Sequence, residues 1–127
     1  MKKILFGVAV SVMAFVSPQV SASAVEFQCD YKRVASPDGV APAGKFALRF
    51  TLDTLTDEAF IVGNNGLADV VPIANSYGIT FVERTNSGNI TTTTINTTDG
   101  ESVHSRNSII AGGLVPTQYY GNCEISE

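Results

Sequence analysis

The sequence predicts an all-β protein: a small antiparallel up-and-down barrel of about eight strands, closed by one disulfide, with a β-sandwich as the alternative. Three observations lead there. Apolar and polar residues alternate along short segments, turn residues recur at intervals of about ten to twelve positions, and one cysteine lies near each end of the segments.

The chain opens with an export signal. Lys2 and Lys3 precede the apolar run Ile4 to Val16, and small residues at Ala22 and Ala24 place cleavage after Ala24. A membrane-spanning helix needs roughly 20 apolar residues, and Pro18 and Gln19 end this run early. Phe27 and Gln28 before Cys29 do not suit a lipoprotein signal. Residues 25–127 then form one domain with no integral membrane segment; 127 less 24 leaves 103 residues, enough for one core. Losing Lys2 and Lys3 takes the 8 basic side chains to 6 against 12 acidic ones, a formal charge of −6. That balance excludes nucleic acid and anionic membrane surfaces as natural partners. The short lysine-led signal points to the periplasm or exterior of a Gram-negative bacterium.

The strands follow in order. In the segment 25–33, Phe27, Cys29 and Tyr31 oppose Glu26, Gln28, Asp30 and Lys32. In 45–53, Phe46, Leu48, Phe50 and Leu52 oppose Arg49 and Asp53. Two short apolar runs flank Asn64-Asn65-Gly66, a strong hairpin signal because both central residues tolerate positive φ. "NSYG", "TNSGN" and "TTDG" then separate "ITFVER", "ITTTTIN", "ESVHSRN" and a last strand ending "TQYYGNCEI". The threonines of 91–98 read as a solvated strand face. Only Val34 to Gly44, with two prolines and two glycines, breaks the short-turn pattern and reads as a long loop between the first two strands. Gly112 and Gly113 mark a bulge or bend before the last strand.

Two cysteines in an exported chain indicate a disulfide, and Cys29 and Cys123 both fall on the more apolar face of their strands. Pairing the first strand with the last would turn that bond into the core and abolish the two exposed edges of an open sheet. The loop so closed is about 95 residues, for which chain entropy gives roughly 4–5 kcal/mol. The charged outer positions Glu26, Asp30, Lys32, Arg49 and Asp53 belong in water rather than in an outer-membrane barrel.

Chemistry is sparse. The single histidine, His104, sits beside Ser105, but neighbours in a strand point to opposite faces and cannot form a nucleophile–base pair. There is no nucleophile-elbow motif, and one histidine leaves a metal without ligands, so no metal or cofactor is expected. Asp53, Asp57 and Glu58 read as turn acids bonding nearby backbone. With Val103, Asn107 and Ile109 taken as the core face, His104 and Arg106 are expected at a solvent-facing rim. There His104→Ala should cost less than about 0.5 kcal/mol. In the last strand, Tyr119 is expected inside and Tyr120 outside, so His104, Arg106 and Tyr120 form the candidate binding surface, at one mouth of the barrel.

Phe27-Gln28-Cys29 in the first strand and Cys123 in the last resemble the pattern of small secreted barrels of Gram-negative bacteria, among them the periplasmic inhibitors of c-type lysozyme. That resemblance implies a barrel and inhibition of a lysozyme by a loop that enters its cleft. The inhibitors' Ser-Gly-x-x-Tyr loop has no counterpart, since Ser87-Gly88 is followed by no tyrosine and Ser76-Tyr77-Gly78 has the wrong order. The reading is therefore an exported, non-enzymatic binding protein for a protein or small ligand. A structural or envelope-maintenance protein without a pocket is the alternative, and a lysozyme-inhibitor-like protein the second.

Overall fold

The computed structural model describes residues 23–63 and 66–127. The expected export signal lies almost wholly outside them. Eight antiparallel strands follow one another: β1 (Ala24–Ser36), β2 (Gly39–Asp53), β3 (Ala59–Gly63), β4 (Gly66–Ala74), β5 (Gly78–Arg84), β6 (Ile90–Asn96), β7 (Glu101–Ile110) and β8 (Gly113–Ser126). Each pairs with the next and β8 returns to β1, which closes the barrel as the strand pattern predicts. No helix among the described residues is long and apolar enough to cross a membrane.

The seam carries the disulfide. Cys29 stands directly opposite Cys123 in the β1–β8 ladder, with Cα atoms 3.9 Å apart and the bond buried. Such a bond belongs in an oxidising compartment. Just above it the β1 backbone presses onto β8 at Gly121, where any Cβ would collide with the Asp30 carbonyl oxygen. Beside this contact β1 bulges, so that Lys32 and Arg33 are both exposed and the pairing resumes at Arg33↔Tyr120.

One expectation changes here and another narrows. Val34 to Gly44 is not a loop. The chain turns at Pro37-Asp38, and Arg33↔Pro42, Val34↔Ala41, Ala35↔Val40 and Ser36↔Gly39 continue the ladder into a long hairpin arm. Proline and glycine suit it because this part of β2 is an edge: its ladder with β3 runs only from Arg49↔Val62 to Leu52↔Ala59. Of the bulge or bend expected at Gly112 and Gly113, the structure has the bend. Ala111 and Gly112 form a two-residue turn, both at positive φ (51° and 81°), and Ile110 pairs with Gly113. The β1–β2 and β7–β8 hairpins thus form a tall wall over the shorter β3–β6 side.

The connections 37–38, 85–89 and 111–112, with the facing ends of β3 and β4 at Gly63 and Gly66, lie at one end, called the mouth here, and 54–58, 75–77 and 97–100, with the start of β1 and the end of β8, lie at the other, the base. The base half of the interior is mostly apolar, with Ser102 a buried polar side chain opposite Ile95. Phe81 packs edge-on against Phe27 (5.3 Å between ring centres) and stacks on Phe50 (4.4 Å), with Ile79 and Ile95 buried around them. At the base, Asp53 accepts hydrogen bonds from the backbone N–H of Leu55 and Thr56, the turn role expected of it.

Candidate functional site

The mouth half of the same interior is built differently. In β7 the inward residues are Ser102, His104, Arg106 and Ser108, because the two-residue turn after Ile110 sets a register that places His104 opposite Tyr119 and Ser102 opposite Gly121. Cross-strand partners share a face, and Tyr119 lies on the disulfide's face. His104 is accordingly 3% exposed, while Ile109 is 71% exposed. The expectation of a solvent-facing rim is reversed for His104, and with it the small cost assigned to His104→Ala, whereas Arg106 is half-buried and lines the mouth. Hydrophobicity misled because Val103 and Ile109, the apolar residues that set the expected core face, stand on the outer face of this strand.

His104 sits among the rings of Tyr31, Phe46 and Tyr119, with centres 5.6–6.1 Å from its own. Its Nδ1 shares a 2.7 Å hydrogen bond with Thr93 Oγ1. Burial, and secondarily the positive Arg106 nearby, lower its pKa to about 4, so the ring is neutral at pH 7. Below it, Tyr31 Oη and Ser102 Oγ share a buried hydrogen bond of 2.9 Å, and burial raises the Tyr31 phenol to about 12 despite that bond. The threonine run is therefore no wholly solvated face: Thr91 and Thr93 are buried polar partners, whereas Thr94 is exposed.

Arg106 lies one inward position nearer the opening. Its Nη2 donates a 2.9 Å hydrogen bond to Tyr119 Oη, and the guanidinium lies 5.2 Å from the Tyr119 ring centre and 5.9 Å from that of Phe46. On the neighbouring strand β6, Thr91 stands opposite both Arg106 and Glu83 in its two ladders and donates a 3.4 Å bond to Glu83 Oε1. The mouth holds a cavity of about 230 Å³. Phe46, Leu48 and Ile61 line one side of it, and Glu83, Thr91 and Arg106 the other.

Of the three predicted site residues, the fold brings His104 and Arg106 together and sends Tyr120 elsewhere. Tyr120 stands outside, opposite Val103 and Arg33, with its hydroxyl donating to Gln118. Tyr119 takes the place beside Arg106. Glu83 and Thr91 were missed: in "ITFVER" the inward series Ile79, Phe81, Glu83 ends on a charge, which alone does not reveal that the strand top opens into a mouth. Among the described residues no group of three or more His, Cys, Asp or Glu side chains could hold a metal ion. Compared with known proteins, the chain matches no family model, no curated sequence and no solved structure.

Proposed function

We propose that the protein is an exported, non-enzymatic binding module that takes an anionic group into the mouth of its barrel, with Arg106 as the anchor. The observation carrying this reading is the half-buried Arg106 guanidinium, held by Tyr119 and two aromatic rings at the wall of a cavity. A planar, pre-positioned guanidinium partly withdrawn from water favours a charge-assisted bond to a carboxylate or phosphate. Neutral His104 beneath it adds no competing charge. Proton-transfer chemistry has less support: a base with a pKa of about 4 is a poor acceptor at neutral pH, and its hydroxyl partner Thr93 is buried.

A thermal-shift series with monocarboxylates, phosphate and sulfate tests the proposal. At least one anion should raise the Tm of the wild type and leave Arg106→Gln unmoved. No shift with any of them, or the same shift in the variant, refutes it. The pocket-free structural reading draws on another observation, the exposed Ile109, Ile110 and Leu114 at the tip of the β7–β8 arm. It gains if substituting those residues, and not Arg106, abolishes a cellular phenotype. Lysozyme inhibition draws only on the disulfide-closed barrel, since Ser87-Gly88 in the turn between β5 and β6 has no tyrosine after it.

A further inference from the structure

We infer that the mouth ligand is a small zwitterion with an apolar side chain, the free carboxylate and ammonium of an amino acid or dipeptide. This rests on the reading of Arg106 as an anion anchor and adds a second charge and a third wall. Glu83 and Arg106 face the same cavity from β5 and β7, with Thr91 of β6 between them in register. Two strand spacings separate their backbones, roughly 10 Å, so the two long side chains can reach a ligand placed between them. Arg106 is turned away from Glu83, donating to Tyr119 on β8, while Glu83 accepts from Thr91, which stands between them. A ligand with one charge of each sign meets both groups, whereas a simple anion would leave the Glu83 carboxylate facing it.

The rest of the cavity selects the side chain. Phe46, Leu48, Ile61 and Ala68 from β2 to β4 form an apolar wall opposite the charged one. At about 230 Å³ the cavity is smaller than sites for drug-sized ligands, which excludes a large molecule and suits one or two residues of peptide. The acidic exterior, with its formal charge of −6 after signal removal, disfavours net-anionic ligands at long range but is indifferent to a zwitterion.

The test is calorimetry and amide NMR on the mature, oxidised protein with L-leucine, L-leucyl-L-leucine, their N-acetyl forms and their C-terminal amides. Leucine or the dipeptide should bind, with shifts confined to the mouth ends of β5, β6 and β7, and the better of the two gives the preferred charge spacing. N-acetylation should weaken binding about tenfold or more in the wild type and have little effect in Glu83→Gln. Amidation should do the same for the wild type and Arg106→Gln. If the N-acetyl forms bind as well as the free zwitterions, the zwitterion inference fails while anion binding by Arg106 stands. If none binds and no mouth resonance moves, the zwitterion inference fails, and the anion reading fails with it when the monocarboxylate, phosphate and sulfate series also gives no shift. Near-native amide spectra of both variants guard against misfolding as the cause of a loss.

Discussion

The two halves of one barrel interior obey opposite rules. Toward the base, Phe27, Phe50 and Phe81 fill the space between the strands with Ile79 and Ile95, and the buried polar side chain in register with them, Ser102 opposite Ile95, is satisfied by Tyr31. Toward the mouth, the same alternation of strands delivers His104, Arg106, Thr91, Thr93 and Glu83 to the inside, each with a hydrogen-bonded neighbour. Buried polar groups are costly unless partnered, so a layer of this kind contributes less to stability than the one below. The difference teaches that apolar packing and buried polar groups are separated along the barrel axis, and under the proposed function that separation leaves the mouth to the ligand while the base holds the fold.

Perturbations can break or sharpen that contrast. The largest effect is expected at the seam, which serves both halves. Cys29→Ser with Cys123→Ser should destabilise the protein by roughly 4–5 kcal/mol, since it reopens a loop with a sequence separation of 94. Denaturant melts of oxidised wild type and the double variant measure it, and a loss under about 1 kcal/mol would show that the closed ladder holds without the bond. Phe81→Ala comes next, at about 3–5 kcal/mol, because it removes a fully buried ring from between two others. Its ligand affinity, measured well below its Tm, should stay that of the wild type. A matching loss of affinity would mean the halves are coupled.

The mouth layer answers to pH. His104 has an ordinary value of 6.5 that folding lowers to about 4, so the unfolded state binds the extra proton between those values. The stability from a neutral His104 is complete above about pH 6.5, falls as pH drops toward about 4, and loses nothing further below that. The full effect is on the order of 3 kcal/mol. Stability curves of wild type and His104→Gln from pH 7.5 to 4 should converge toward acid. Parallel curves would place the histidine outside. The smallest effect is expected at Tyr120, 38% exposed on the outer face, where Tyr120→Ala should change stability by about 0.5 kcal/mol or less and leave mouth binding intact.

Strand number, meander order, the seam and its disulfide were legible because alternation and turn residues are local signals, and parity put both cysteines on one face. Tyr119 inside and Tyr120 outside followed from the same parity. The β7 face did not, because the usual equation of apolar with inward fails wherever a barrel interior is polar. Its sign was recoverable all the same: reading Ala111-Gly112 as a two-residue hairpin turn sets His104 opposite Tyr119, and Tyr119 had already been placed inside. The β1–β2 arm was hidden for a related reason. Pro42 and Gly44 are breakers in a central strand and acceptable on an edge, and edge status depends on where β3 ends. Glu83 as a mouth residue required the pairing of three strands, which no local pattern contains.

The most direct measurement of the central claim, that the inward face of β7 builds a buried polar layer beneath the mouth, is an NMR titration of the histidine Cε1–H. The chain has a single histidine, so the signal needs no assignment. The imidazole should titrate near 4 in the folded wild type and move upward in Arg106→Gln, while staying below 6.5 because burial is the larger cause. A midpoint near 6.5, unmoved by loss of Arg106, would contradict the account and return His104 to the solvent.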